Sequence, residues 1–262
     1  MSFDKAMEAH MVRWRSAHCQ IAEHGRQNGR AYPWILPHGA WREGLWAELR
    51  PGGLHPLEDY LEREGIQKHA GVHNLKSSWV LCANLYWPFG QTKEGRALLA
   101  GFLQMHVDKS IAAVEAVELE WAGAGALSPE RLLGETGGAR GSGQTSPDIA
   151  FFVRTVNGRQ GLVLTENKFV EHSFYRCSAR RTRGSADRPA NPDRARCTRA
   201  AELLSDHEAL CHQHSWGRRY WDHLAGAGDR NALAQLKTCP GASGGYQLLR
   251  QHALAEALAE AS

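Results

Sequence analysis

The chain has 262 residues, of which 42% are hydrophobic and 23% are charged, and its formal net charge is +3. This length can bury a substantial core, the composition is ordinary for a soluble globular protein, and the modest total charge identifies no class of partner. No apolar run approaches the roughly 20 residues that cross a bilayer. The first residues lack a signal-peptide pattern, so we expect a cytoplasmic protein without a membrane segment.

The first part of the chain is irregular in composition. Residues 1–70 are rich in Trp, His, Pro and Gly, and they predict a short helix, loops and another helix near "HPLEDYLEREG". The sequence shows no clean linker after this region and no internal repeat within it. We therefore predict an N-terminal helical and loop extension over residues 1–70, packed on a main domain of residues 71–262.

Two helices and a strand follow the extension. The segment "HNLKSSWVLCANLYWPFG" has apolar residues at helical spacing, with Asn74 as its predicted N-cap and Pro88 near its end. The next segment, "TKEGRALLAGFLQMHV", predicts a helix capped by Thr92. Its predicted apolar stripe consists of Leu98, Leu99, Phe102 and Leu103. Alternating apolar and acidic residues in "AAVEAVELEWAG" then favour a strand.

A predicted hairpin and further helices complete the chain. Residues 125–146 form a Gly- and Ser-rich loop, after which "DIAFFVRTV" and "QGLVLTENKF" read as strands joined at Asn157-Gly158. Residues 200–226 predict helical structure, and "YQLLRQHALAEALAEA" predicts a final helix. This order predicts an α/β protein whose central mixed sheet is flanked by helices.

The hairpin register decides which ionisable side chains meet. A two-residue loop would place Asp148 opposite Asn167, on the wrong face of the sheet. A three-residue loop with Gly158 in the left-handed conformation places Asp148 directly opposite Glu166. We predict the three-residue loop, or an equivalent bulge, which puts Asp148, Glu166 and Lys168 on one face.

Adjacent carboxylates of this kind favour a divalent cation. Two carboxylates side by side repel each other unless a cation lies between them, and oxygen ligands suit Mg²⁺. Lys168 beside them can orient a water molecule or offset negative charge. The alternative is an exposed salt-bridge patch at the end of a hairpin.

At these residues the chain resembles the PD-(D/E)xK nuclease superfamily, which has the restriction-endonuclease-like fold. The matching residues are Pro147-Asp148 and Glu166-Asn167-Lys168. The resemblance implies that Asp148 and Glu166 bind Mg²⁺ or Mn²⁺ with the Asn167 carbonyl, and that Lys168 positions the attacking water. Over residues 71–262 the chain is similar to a group of bacterial restriction-endonuclease-like proteins.

The resemblance also implies further site residues. Such folds often add an acid from a preceding element, and the candidates here are Glu120 and Glu135, for each of which an ordinary surface glutamate is the alternative. In some relatives a glutamine on a later helix contacts the site, which makes Gln247 a candidate auxiliary residue. Its alternative is a solvent-exposed residue at the start of a helix.

A basic segment follows the predicted site. Between Arg176 and Arg199 the chain holds eight arginines and two acids, and its prolines argue against one continuous helix. The candidate phosphate-contacting residues are Arg176, Arg180, Arg181 and Arg183. The alternative is a solvated loop. The neighbouring Phe174 and Tyr175 could stack on bases, although we favour a core position for both.

Four cysteines in the C-terminal part of the chain are candidate metal ligands. They are Cys177, Cys197, Cys211 and Cys239, and their long spacings match no standard zinc-ribbon signature. Some nucleases of the same superfamily hold an iron–sulfur cluster through cysteines near the C-terminal part of the fold, with tighter spacing than here. A structural zinc, an iron–sulfur cluster and four unlinked thiols all stay open at this point.

Together these patterns and the resemblance predict a Mg²⁺-dependent nuclease that hydrolyses phosphodiester bonds of DNA, and a homodimer would suit cleavage of both strands. The alternative is a catalytically silent nucleic-acid-binding or scaffold protein with the same fold. A third reading is a domain organised chiefly by a Cys₄ metal.

Overall fold

The computed structural model describes residues 2–171, 173–181, 183–186, 188–227 and 235–262. The chain divides into two compact units. The first contains residues 1–121, 139–142 and 147–171, and the second contains residues 122–138, 143–146 and 172–262. Among the described helices, none combines the length and apolar character that a membrane span requires.

The first unit contains four α-helices, a short two-stranded ribbon and a three-stranded sheet. The helices are α1 (Phe3–His18), α2 (Leu57–Arg63), α3 (Ser78–Gln91) and α4 (Lys93–His106). The ribbon pairs β1 (Arg26–Gln27) with β2 (Arg30–Ala31), and the sheet has the order β3 (Ile111–Leu119), β4 (Ile149–Thr155) and β5 (Gln160–Thr165). Every neighbouring pair of these strands is antiparallel. The expected α/β class is confirmed, but the sheet that the described residues form is antiparallel and not mixed.

The core of the first unit lies between the sheet and helices α3 and α4, both of which contact β3. Inward-facing Val117 and Ile149 lie in one buried cluster with Trp79 of α3. Trp41 and Leu57 from the N-terminal segment lie in the same cluster. Residues 1–70 therefore contribute directly to the core that supports the sheet, because their large apolar side chains are removed from water there.

Helix α3 begins later and ends later than predicted. Its N-cap is Ser77, whereas the Asn74 side chain accepts a hydrogen bond from the Lys76 N–H (2.9 Å), so Asn74 caps a turn before the helix. Pro88 lies inside α3, which continues to Gln91. Loss of one backbone donor near the end of a buried helix is tolerated because the surrounding core holds the segment.

Helix α4 follows the predicted cap but not the whole predicted stripe. Thr92 Oγ1 accepts a hydrogen bond from the Gly95 N–H (3.0 Å), which confirms the cap. Leu99 and Leu103 are buried, whereas Leu98 and Phe102 are 67% and 56% exposed. The stripe that faces β3 is therefore narrower than the apolar composition of the helix indicates.

The second unit is built from short helices and loops around one long helix. Among its described residues, the α-helices are α5 (Pro129–Leu133), α6 (Ala200–Ser205), α7 (His207–Leu210), α8 (Tyr220–Leu224) and α9 (Tyr246–Glu260). The last helix agrees with its prediction, and it packs against α5 and α8. The segment predicted as helical over residues 200–226 is divided into short pieces.

Helix α5 interrupts the predicted Gly- and Ser-rich loop. Ser128 caps the helix by accepting from the Arg131 N–H, Pro129 occupies the first turn, and Gly134 ends it with φ +64°. Ser, Pro and Gly at these positions are the ordinary signals for a helix start and end. The signals were present in the sequence but lay among other glycines and serines that favour a loop.

Candidate active site

The turn between β4 and β5 sets the register of the sheet. Gly158 has φ +81°, and the Thr155 N–H donates to the Arg159 carbonyl (2.9 Å). Strands β4 and β5 pair Ile149 with Thr165. Continuing this register by one residue places Asp148 opposite Glu166, as the three-residue loop predicted.

The same alignment extends to β3. Leu119 pairs with Ile149, and the Glu120 N–H donates to the Asp148 carbonyl (3.0 Å), one residue beyond the ends of both strands. Glu120, Asp148 and Glu166 therefore form a row across the ends of three neighbouring strands. The charges of Asp148 and Glu166 act on Glu120, and the charge of Glu166 acts on Asp148, so the three carboxylates lie close enough to interact.

Glu120 has an unusual backbone conformation at this position. Its φ is +47°, which a residue with a side chain adopts at a cost of about 1–2 kcal/mol. Arg140 holds this corner, because its side chain donates to the carbonyls of Glu120 (3.1 Å) and Leu119 (2.8 Å). Strain of this kind persists only where surrounding contacts hold it, and it is common at functional sites.

Burial and mutual repulsion act on the row of carboxylates. Burial, followed by the charges of Asp148 and Glu166, raises the pKa of Glu120 to about 8. Burial and the charge of Glu166 raise the pKa of Asp148 to about 7, although the Asn167 N–H and the Lys168 charge oppose the shift. The negative charges are therefore only partly compensated by the neighbouring protein groups.

Glu166 and Lys168 form an ion pair directly beyond β5. The Glu166 side chain is only 2% exposed, and the Lys168 ammonium donates to its Oε1. Burial alone would lower the pKa of Lys168, but the Glu166 carboxylate and the neighbouring charges raise it. Lys168 consequently stays positively charged at neutral pH beside the carboxylate row.

Asn167 connects this segment to the rest of the first unit. Its backbone N–H donates to Asp148 Oδ2 (2.7 Å), and its side-chain amide donates to the Ser78 carbonyl at the start of α3 (2.9 Å). Asp148 is thereby oriented by a backbone donor, and the chain after β5 is fixed against α3. Both contacts position the residues of the predicted site.

Glu171 is a neighbour of the site that no motif in the sequence predicted. Its carboxylate accepts from Ser78 Oγ (2.8 Å) and from the backbone N–H groups of Phe169 (2.9 Å) and Val170 (3.2 Å). Burial would raise the pKa of Glu171, but these hydrogen bonds lower it overall. Its charge also contributes to the raised pKa of Asp148. The available signal was an acid three residues after Lys168, which is too common to be diagnostic.

Glu135 lies in the second unit, where other residues bind its carboxylate. Thr145 donates through its N–H (2.6 Å) and its hydroxyl (2.6 Å), Tyr220 donates its hydroxyl (2.8 Å), and Arg250 forms a salt bridge (3.0 Å). Burial would raise the pKa of Glu135, but Arg250 and these hydrogen bonds lower it. Its carboxylate is therefore balanced within that unit.

The basic segment of the second unit is largely open to solvent. Arg176, Arg181 and Arg183 are exposed, while Arg180 is half-buried and donates to the Arg194 carbonyl (3.3 Å). Tyr175 is 58% exposed and has φ +59°, so the expected core position is wrong for this ring. The Tyr175 carbonyl accepts from the Tyr246 N–H at the start of α9 (3.0 Å), and this contact holds the backbone there.

The remaining predicted residues also lie in the second unit. Gln247 is half-buried in the first turn of α9, and its side-chain oxygen is buried with no hydrogen-bond partner among the described residues. Cys177, Cys197, Cys211 and Cys239 all line one small cavity. Four segments that are distant in sequence thus contribute to a single place in the fold.

The carboxylate row has the donor chemistry of a divalent-cation site. Within the described residues, no group of three or more His, Cys, Asp or Glu side chains is already close enough together to hold a metal ion. Buried carboxylates with raised pKa values nevertheless suit a hard cation, because the cation relieves their repulsion. These oxygen donors therefore match Mg²⁺ or Mn²⁺ in chemical type, whereas their spacing among the described residues does not form a metal site.

A family comparison covers almost the whole chain. The model of the family described as restriction endonuclease associating with ARP, REase-ARP, matches residues 8–261. No curated protein and no solved structure matches the chain. The family match includes residues of both compact units and the whole carboxylate row.

Proposed function

Because the chain belongs to the restriction endonuclease family that associates with ARP, we propose that it is a metal-dependent nuclease acting on phosphodiester bonds in DNA. The observation that carries this proposal is the row of Glu120, Asp148 and Glu166 with the Lys168 ammonium beside it. A set of three buried or half-buried carboxylates with one cation is costly to maintain without a ligand.

Two carboxylates and one carbonyl form the proposed metal site. Asp148 and Glu166 would hold Mg²⁺ or Mn²⁺ with the Asn167 carbonyl, and Glu120 is the third acid. When bound, the metal would lower the pKa of a coordinated water and offset charge on the scissile phosphate. The Asn167 N–H orients Asp148, and Arg140 orients the backbone of Glu120.

Lys168 has a separate role in the proposed reaction. Its ammonium is held by Glu166 and is mostly shielded from solvent, with 16% of the side chain exposed. A fixed positive charge can align the attacking water and stabilise negative charge that develops on the phosphate oxygens. Arginine at this position would present a planar fork and not a compact point charge.

The exposed basic segment supports a nucleic-acid substrate. Arg176, Arg181 and Arg183 could contact backbone phosphates, which gives binding that is independent of base sequence and weakens with salt. The exposed ring of Tyr175 could stack on an unpaired base. A homodimer, which would suit cleavage of both strands, stays a prediction.

Nuclease assays with matched variants test the proposed function. Purified full-length protein is incubated with supercoiled plasmid, single-stranded DNA and RNA while Mg²⁺ or Mn²⁺ is titrated. We expect metal-dependent cleavage by the wild type, and its loss in Asp148→Asn and Lys168→Met, because each change keeps side-chain size but removes a charge. Circular dichroism checks that both variants fold.

Two exposed residues provide the controls. Asp59→Asn and Lys109→Met make the same chemical changes at exposed positions, so they should cleave like the wild type. Undiminished cleavage by Asp148→Asn would contradict the assignment. Retention of DNA without cutting at any metal concentration would instead support the alternative of a catalytically silent binding protein.

A further inference from the structure

The second unit contains four buried or half-buried thiols around one small cavity. Cys177, Cys197, Cys211 and Cys239 line it, and all six cysteines of the chain are free thiols. Each of the four comes from a different loop or short helix of the second unit. Long spacing hides this arrangement in the sequence, since only the folded chain brings these segments together.

Three of the four cysteines share one local backbone arrangement. The carbonyls of Cys177, Cys211 and Cys239 each accept a hydrogen bond from the N–H three residues later, at 3.0, 2.9 and 2.8 Å respectively. The same tight turn therefore begins at three of the four cysteines.

Backbone hydrogen bonds join the cysteine segments to one another. The Cys177 N–H donates to the Gly241 carbonyl (2.6 Å), and the Cys239 N–H donates to the Cys197 carbonyl (2.9 Å). A Cβ atom at Gly241 would lie 3.3 Å from the Cys177 Cβ and 3.7 Å from the Cys239 Sγ. The glycine thus allows two cysteine turns to pack closely.

Side-chain contacts around the cavity favour sulfur ligands. Gln213 is only 3% exposed, and its amide donates to the Cys177 Sγ (3.1 Å). Donors directed at sulfur stabilise a metal-bound thiolate and tune its charge. Apolar side chains form part of the wall, and they are Leu203, Trp221 and Leu249.

The imidazole at the cavity wall is already engaged. His212 Nε2 lies 2.8 Å from the Pro189 carbonyl, and its Nδ1 lies 3.3 Å from Ser215 Oγ. The donor set is therefore four sulfurs and not a mixed cysteine and histidine set. Four sulfurs suit zinc or iron–sulfur chemistry, whereas they do not suit Mg²⁺.

We propose that Cys177, Cys197, Cys211 and Cys239 form a structural site for a thiophilic metal, as a zinc ion or an iron–sulfur cluster. The thiols of the described structure surround the cavity without being close enough to hold an ion, so binding would draw them inward and release their protons. The site would stabilise the loops and short helices of the second unit, because it joins four separate segments.

Metal analysis of the full-length protein tests this site. Protein is purified without chelators and without oxygen, and its metal, sulfide and visible absorption are measured. We expect either about one zinc per chain, or iron and sulfide with coloured absorption. Single Cys→Ser variants at the four positions should lower the metal content, whereas Cys19→Ser and Cys82→Ser, in the first unit, should retain it.

The proposed cysteine metal site and the proposed nuclease site can be tested independently of each other. Asp148→Asn should lose cleavage but retain the metal bound by cysteines, since that residue belongs to the first unit. A chain that stays metal-free after purification and after addition of zinc, or of iron with sulfide, would overturn the proposal. Equal metal content in all Cys→Ser variants would also overturn it.

A measurement on the wild-type protein tests the site even if the Cys→Ser variants fail to fold. The thiols that react with a colorimetric reagent are counted in the native full-length protein before and after metal removal. We expect four additional thiols to react once the metal is gone, and peptide mapping should identify them as the four of the cavity. An unchanged count, or reaction at Cys19 and Cys82 instead, would contradict the site.

Discussion

Glu120 and Glu135 are both buried glutamates, but their surroundings in the two compact units shift their pKa values in opposite directions. Glu120 is 8% exposed and lies among other carboxylates, so its pKa is raised to about 8. Glu135 is 5% exposed and is bound by Arg250 and three hydrogen bonds, so its pKa is lowered. The partners of a buried carboxylate, and not its burial, decide whether the fold neutralises its charge or leaves it available for a ligand.

The largest expected effect of this difference is on catalysis at Glu120. Glu120→Gln keeps the size of the side chain but removes one negative charge from the proposed metal site. We expect the single-turnover cleavage rate to fall roughly 10²- to 10³-fold, the size typical of losing one group that stabilises transition-state charge. The free energy of unfolding should not fall, because a carboxyl with a pKa of about 8 is largely protonated in the metal-free fold at pH 7, and glutamine removes the cost of protonating it.

The neighbouring Glu115 provides the control for this variant. It lies on the same strand, β3, and forms a surface salt bridge with Arg154 (3.1 Å). Glu115→Gln should leave both cleavage and stability close to those of the wild type, since exposed ion pairs contribute little. A cleavage rate for Glu120→Gln equal to that of Glu115→Gln would remove Glu120 from the site.

For Glu135 the comparison predicts a loss of stability. Glu135→Gln leaves the Arg250 guanidinium without its counter-charge and turns an amide donor towards Thr145 or Tyr220. We expect the free energy of unfolding to fall by roughly 3 kcal/mol, at the lower end for a broken buried pair. The lower end applies because the Arg250 side chain is still 23% exposed. Denaturant unfolding measures the difference.

A second substitution separates the ion pair from simple packing. Glu135→Gln combined with Arg250→Gln removes the unpaired charge, so the double variant should be less destabilised than the sum of the two single variants. Glu202→Gln, which breaks the exposed pair with Arg199 (2.8 Å), is the surface control and should change stability by less than about 0.5 kcal/mol. Additive effects at 135 and 250 would mean that the pair is not coupled.

The lowered pKa of Glu135 predicts a pH dependence of stability. A carboxyl whose pKa is lower in the folded state stabilises the fold above its unfolded pKa, and this stabilisation is lost as pH falls through the folded pKa. The difference in unfolding free energy between wild type and Glu135→Gln should therefore be complete above pH 4.5, the ordinary value for glutamate, and shrink below it. A difference that stays constant from pH 7 to pH 3 would show that the charge is not responsible.

Local signals in the sequence predict the hairpin and its row of charges well. Asn157-Gly158 predicts the three-residue turn, and a turn of that length places Asp148 opposite Glu166. Thr92 likewise caps α4 through a contact three residues away. These features depend on neighbouring residues, so the sequence pattern contains the information that they need.

Contacts between distant residues could not be predicted in this way. Arg250 lies 115 positions from Glu135, and no local pattern indicates their salt bridge. The convergence of four cysteines depends on loops without regular periodicity. Exposure of Leu98 and Phe102 depends on which face of α4 meets β3, and both faces are apolar. Local sequence preferences determine none of these three features.

The smallest predicted effect concerns the turn between β4 and β5, which aligns Asp148 with Glu166. Gly158→Ala must adopt φ +81°, where a Cβ meets no neighbouring atom but the backbone conformation itself is unfavourable. We expect a loss of about 1 kcal/mol in unfolding free energy. Gly101→Ala, in open space within α4, should instead gain about 0.5–1 kcal/mol in unfolding free energy because glycine weakens a helix interior.

If Gly158→Ala folds with the same register, its metal-dependent cleavage should match the wild type at a temperature where both are folded. Equal stability changes for the two glycines would mean that the left-handed turn does not hold the hairpin, and the alignment of Asp148 with Glu166 would then depend on core packing alone.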